Sequence, residues 1–73
     1  MTVGTLISPV AGIVSAVEKA IGDAVDVDDP VIVVECMKML IPVAATAAGR
    51  IKEIMVAEGD ALEEGQVVCL LEA

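Results

Sequence analysis

Histidine, phenylalanine, tyrosine and tryptophan are all absent from this 73-residue sequence. Without histidine, no side chain ordinarily titrates near neutral pH, so there is no ready general base. Without aromatic rings there is no stacking platform for bases or sugars. Positive charge is nearly as scarce: four Lys and Arg stand against twelve Asp and Glu, a formal net charge of −8. Phosphate neutralisation needs basic residues, so nucleic acid is excluded as a partner. The acidic surface also disfavours anionic membranes. The two cysteines, Cys36 and Cys69, form neither a CxxC pair nor a metal-ligand spacing and read as free thiols, with no metal site.

What the sequence does have is apolar residues, 58% of the chain, drawn from Val, Ile, Leu, Ala, Met and Cys. The first charged residue is Glu18, but Gly4, Ser8, Pro9 and Gly12 interrupt the stretch before it. A membrane-spanning helix needs about 20 predominantly apolar residues, so no membrane insertion is expected. No basic residue precedes Lys19, which argues against a secretory signal and makes the cytoplasm the expected compartment. A chain of this length allows one domain, residues 1–73. Such a domain buries only about 60% of the surface that its unfolded form exposes. The acidic residues cluster in turns, where they keep a small apolar protein soluble.

The organisation is a duplication. Shifted by 37 positions, residues 4–35 lie over residues 41–72 without a gap. Identities fall at Ala11/Ala48, Gly12/Gly49, Ala20/Ala57, Gly22/Gly59, Asp23/Asp60, Ala24/Ala61, Val31/Val68 and Glu35/Glu72. Apolar pairs such as Val14/Ile51, Val25/Leu62 and Val34/Leu71 fill the positions between. The first seventeen residues are therefore needed as part of the fold.

Each half reads as short strands separated by turns. Val31–Glu35 and Val67–Glu72 are aliphatic runs of strand length. Gly22-Asp23, Gly59-Asp60, Asp28-Asp29-Pro30 and Glu63-Glu64-Gly65-Gln66 read as turns. Gly12, Gly22, Gly49 and Gly59 are expected to be turn residues that tolerate positive φ, and Lys19, Arg50 and Lys52 to be solvated strand-face charges. The stretch Gly49–Glu58 carries helical spacing and helix-favouring residues. Yet Ile54 and Val56 alternate, and the odd step from Ile51 to Ile54 fits a bulged strand. Its counterpart Ile13–Lys19 prefers a strand. Two such halves predict an all-β, two-sheet sandwich with approximate two-fold symmetry.

Between the halves lie only Cys36, Met37, Lys38, Met39 and Leu40. A two-fold arrangement places this linker on one exposed hairpin, with Lys38 at its centre. Glu35-Cys36-Met37-Lys38-Met39 resembles the Met-Lys-Met motif of biotinyl domains, the biotin carboxyl carrier modules of the biotinyl/lipoyl attachment family. The resemblance runs through the whole chain: Ser8-Pro9 and Gly12 at the front, Gly22-Asp23, the central hairpin, then Gly49 and Gly59-Asp60.

The resemblance implies a flattened barrel-sandwich of two four-stranded antiparallel sheets. Lys38 would lie on the tight turn joining the fourth and fifth strands, with the chain ends together at the opposite end. It also implies covalent biotin on Lys38, attached by a biotin protein ligase, with Met37 and Met39 shaping the ligase contact or the biotin environment. Glu35 stands where the family carries a residue of ligase recognition; its repeat mate Glu72 has no such task, so a solubilising strand-end role stays open. The carrier would shuttle a carboxyl group between a biotin carboxylase and a carboxyltransferase or decarboxylase. It would not be an enzyme in its own right, because the cofactor and the partners carry the chemistry.

Some positions depart from the family. Cys36 stands where Ala or Ser is usual, which puts a thiol near the lysine. Leu40 replaces a commonly polar residue, and Ala47-Ala48-Gly49 replaces a polar approach to the second glycine. Only ten positions separate Gly12 from Gly22, leaving no room for the protruding insertion of acetyl-CoA-carboxylase-type carriers. Two alternatives stand beside the biotin reading. A lipoyl carrier shares the implied fold but generally has Asp before its lysine. An unmodified sandwich serving only as an interaction module is the other.

Overall fold

The computed structural model describes residues 2–72. Met1 and Ala73, the outermost residues of the expected domain, lie outside them. Eight strands follow in chain order: β1 (Thr2–Ile7), β2 (Gly12–Val17), β3 (Ala24–Val25), β4 (Pro30–Cys36), β5 (Met39–Ala44), β6 (Gly49–Ile54), β7 (Ala61–Leu62) and β8 (Val67–Glu72). They form two four-stranded sheets of order β1-β8-β6-β3 and β5-β4-β2-β7. All pairings are antiparallel. This is the all-β sandwich that the repeat and the resemblance predict. No helix among the described residues is long and apolar enough to cross a membrane.

The duplication is structural as well as sequential. Moving each strand of the second sheet to its repeat mate turns β5-β4-β2-β7 into β1-β8-β6-β3. The core obeys the same operation. Leu6/Val43, Val14/Ile51, Val25/Leu62, Val31/Val68, Ile32/Cys69 and Val34/Leu71 are buried as pairs. The last buried pair joins Ser8 to Ala45. Ser8 is the polar member, and its Oγ donates a 2.6 Å hydrogen bond to the Val10 carbonyl, which offsets the cost of burying a hydroxyl.

The ambiguous stretch at Gly49–Glu58 resolves as strand β6 and a following loop. Its pairing with β8 shifts register between Ile51 and Glu53. The matching shift in β2 lies between Val14 and Ala16. The bulge therefore recurs in both halves, and it gives β6 an apolar spacing that mimics a helix. Strands β8 and β3 on either side supply the ladder partners that an isolated helix would lack.

Paired turns complete the symmetry. Asp23 Oδ2 accepts from the Ala20 amide, and Asp60 Oδ2 from the Ala57 amide, each at 2.8 Å. Asp29 Oδ2 and Gln66 Oε1 accept likewise from Asp26 and Glu63. These side-chain oxygens close turns as well as solvating the surface. Gly22 and Gly59 have φ of 92° and 93°, the left-handed backbone that glycine adopts without strain. Gly12 and Gly49 correct the turn expectation, because both lie inside strands and neither is among the positive-φ residues. Lys19 likewise lies just past β2, half-buried, instead of on a strand face.

Gly4, near the start of β1, lies beside Thr46, which follows the end of β5. The paired chain ends, with Thr2 opposite Glu72, therefore sit at the far end of the molecule from the β4–β5 hairpin. That hairpin caps one tip of a body measuring 34 × 17 × 17 Å.

Candidate functional site

The β4–β5 ladder pairs Glu35 with Leu40 and finally Cys36 with Met39. Only Met37 and Lys38 remain to make the turn. Both have positive φ, 51° and 66°, the signature of a type I′ turn, whose twist matches the strands it joins. Asn-Gly is the usual sequence there. A Met-Lys pair meets a steric cost of roughly 1–2 kcal/mol per residue in the left-handed region. The long ladder below the turn holds it in place.

At this tip Met37 is 90% exposed and Met39 64% exposed, with Lys38 exposed between them. No hydrogen bond or ion pair engages the Lys38 side chain among the described residues. Its amine is presented at the tip of a rigid hairpin, flanked by two flexible, polarisable thioethers. The residues thus suit a group joined covalently to an amine: the nucleophile is accessible and has no competing partner among the described residues.

Of the four site residues expected from the sequence, Met37, Lys38 and Met39 gather at the tip. Glu35 does not join them. It lies on the outer face of its sheet between Ile13 and Leu40, and is exposed. Cys36 is half-buried beside the turn, Cys69 is buried in the core, and both are free thiols. Burial pushes the Cys69 thiol up from its ordinary value of 9.0. No group of three or more His, Cys, Asp or Glu able to hold a metal occurs among the described residues. No cavity opens among them either.

Gly12 is the supporting residue whose role the sequence reading missed. A Cβ there would overlap the Glu35 carbonyl oxygen and approach Val34 Cγ1 to 2.8 Å. Glycine is thus required for the close approach of β2 to the strand that bears the hairpin. The repeat marks the position, through Gly12/Gly49, but does not reveal the reason.

Known proteins resemble this chain along most of its length. Residues 2–71 match the family model described as “Biotin-requiring enzyme”. The chain is 40% identical over 47 residues to the Biotin/lipoyl attachment protein of Bacillus subtilis (strain 168), an alignment covering 64% of each protein. It is 34% identical over 50 residues to the Biotinylated protein TB7.3 homolog of Mycobacterium leprae (strain TN), covering 68% of this chain and 70% of that one.

Among solved structures, the Kluyveromyces lactis urea carboxylase superposes with a TM-score of 0.91 at 33% identity. That match covers 94% of this chain but 6% of the carboxylase. The lipoyl domain of the Azotobacter vinelandii 2-oxoglutarate dehydrogenase complex gives 0.78 at 29% identity, covering 94% of this chain and 95% of that domain. The alignment thus spans just under two thirds of the Bacillus relative and a small part of the carboxylase. With nearly the whole chain inside the family match, and the fold shared with a lipoyl domain and with part of a urea carboxylase, this protein belongs to the biotin/lipoyl attachment family.

Proposed function

We propose that the protein is a biotin carboxyl carrier whose Lys38 Nζ holds biotin in amide linkage. One observation carries this reading: Lys38 stands at the tip of the hairpin where the two-fold repeat is broken, with an exposed methionine on each side. When bound, biotin supplies a ureido nitrogen that accepts and releases a carboxyl group. The chain's own residues do three simpler things. The β4–β5 ladder fixes where the amine projects, the lysine stem gives it reach, and Met37 and Met39 offer apolar surface to a partner's pocket.

In this reading the partners are a biotin protein ligase, a biotin carboxylase, and a carboxyltransferase or decarboxylase. The carrier catalyses nothing itself. Tethering raises the local concentration of the reactive group at both sites, to about the millimolar range for a short flexible arm. The carboxylase likeness supports this context, and the exposed Met-Lys-Met tip supports biotin over lipoate.

A lipoyl carrier is the second reading, favoured by the close match to a whole lipoyl domain. Intact mass after co-expression with a biotin protein ligase and, separately, a lipoate ligase separates the two. The expected result is a gain of one biotinyl group, absent from Lys38→Arg. A lipoyl gain alone, or no gain with either ligase, would overturn the proposal.

A further inference from the structure

The two halves of the sequence do not form separate lobes. Each sheet takes two strands from residues 2–36 and two from residues 39–72. Of the six ladders among the described residues, only β2–β4 and β6–β8 lie within a half. The other four, β1–β8, β2–β7, β3–β6 and β4–β5, join one half to the other. Neither half closes a core alone. Val14, Ile32 and Val34 from the first share one buried cluster with Ile51, Val68 and Leu71 from the second.

The covalent link between the halves is the two-residue turn Met37-Lys38. Both residues hold left-handed backbone that neither residue type favours, so closing the turn stores strain that an extended link would release. The four ladders require a first half to meet a second half, whichever chain supplies each. Short hinges under strain favour the exchange of identical parts between copies.

We infer that two copies of this chain exchange halves about Met37-Lys38. Each lobe of the resulting dimer takes residues 2–36 from one chain and 39–72 from the other, and the four ladders between halves are rebuilt across chains. The partner is thus a second copy, held by the same contacts that close the monomer. Those ladders must be apart for exchange to occur, so it takes place as the chain folds. The net charge of −8 on each copy opposes the encounter, and salt therefore promotes it. In the dimer the turn is gone, and Lys38 lies on a link between lobes instead of at a tip.

A disulfide across the β1–β8 ladder reports which chain supplies each half. Thr5 and Leu70 are directly opposed there, and opposed residues of an antiparallel pair lie within disulfide reach. Cys36→Ser and Cys69→Ala remove the native thiols, and Thr5→Cys with Leu70→Cys supplies the reporter. This protein would be refolded from urea at micromolar and at millimolar chain concentration, then oxidised. In the closed monomer the bond lies within one chain; in the exchanged dimer it joins two. A denaturing gel without reductant separates them, and sedimentation velocity gives the native size.

Two changes in the same background act on the hinge. Met37→Asn with Lys38→Gly installs the pair that a type I′ turn favours. It should lower the association constant of the dimer by roughly tenfold or more, since each dimer opens two turns. Deleting Met37 should act the other way. One residue is too few to close the Cys36–Met39 pair, yet it lets Cys36 and Met39 keep a common face along a single strand, where alternate residues share a face.

Interchain bonds should increase with concentration in the reporter protein, and the deletion variant should be an interchain-bonded dimer where the reporter protein is still closed. On the acceptor reading of Lys38, the isolated dimer should also take up biotin about tenfold or more slowly than the monomer. A monomer that takes up none would remove that reading and leave the exchange standing. Intrachain bonds at every concentration, in monomer or dimer, would overturn the exchange. So would a folded, monomeric deletion variant, or an Asn-Gly turn that exchanges as readily as Met-Lys. If the deletion variant does not fold, the concentration series of the reporter protein decides alone.

Discussion

Gly12 on β2 lies so close to Glu35 on β4 that the strands leave room for a hydrogen atom and nothing larger. A methyl group there would meet the Glu35 carbonyl oxygen and Val34 Cγ1. Glu35 is three residues ahead of Lys38, so this contact sets the strand from which the hairpin projects.

Gly12→Ala should therefore destabilise the fold more than Gly22→Ala does. At Gly12 the obstacle is backbone, which cannot rotate away, and overpacking of this kind costs about 1–3 kcal/mol. A Cβ on Gly22 would meet nothing within 4 Å, leaving only the positive-φ penalty of about 1 kcal/mol. Urea unfolding of the two variants measures the difference. The opposite order would mean that β2 and β4 separate easily.

The strain in the turn predicts a gain in stability. Met37 and Lys38 adopt left-handed backbone that Asn or Gly would enter at lower cost. Met37→Asn, with Lys38 kept, should stabilise the protein by about 0.5–1 kcal/mol in the same assay. An unchanged or lower midpoint would show that the methionine side chain makes a compensating contact in the hairpin.

Cys36 and Cys69 differ in burial, so their thiols should react at different rates with an aromatic disulfide reagent. Cys36 should react in the native protein, while Cys69 should wait for unfolding. The Cys69 thiol is raised in the folded state by burial, so above its ordinary value of 9.0 the unfolded chain loses a proton that the folded chain retains. Stability should then fall as pH rises past that value, and Cys69→Ala should weaken the dependence. A pH profile in the alkaline range that is the same with and without Cys69 would contradict this.

How much of this was legible in the sequence depends on whether the cause was local. Val14/Ile51, Val25/Leu62 and Val34/Leu71 are visible as repeat pairs, and all six residues are buried. The bulge at Ile51–Glu53 was legible in the odd apolar step from Ile51 to Ile54, beside the strand-favouring counterpart Ile13–Lys19. The left-handed backbone at Met37 and Lys38 was not, because neither is a residue type that favours it. Asp28 shows the conformation only through its mate Gly65, which shares it. The role of Gly12 was hidden for another reason: it depends on which strand lies beside β2, and that is a property of topology.

The position of the amine on the turn is the final matter to test. Cys36 and Met39 close the ladder, so Met37 and Lys38 are the only two tip residues and project differently from the strands below. A ligase that reads the folded hairpin needs the amine at the second of them. The double substitution Met37→Lys with Lys38→Met keeps a lysine at the tip but moves it by one position. Biotin incorporation should fall by about tenfold or more, since a misplacement of roughly 1 Å costs rate on that scale. Circular dichroism should show the fold intact. Replacing Met37 and Met39 together by Leu, with Lys38 in place, keeps the apolar bulk and should retain most of the rate. If the shifted-lysine protein is modified as fast as the parent, position on the turn does not matter. The hairpin would then act as a flexible tag, and the rigid presentation of Lys38 by the β4–β5 ladder would have no part in its recognition.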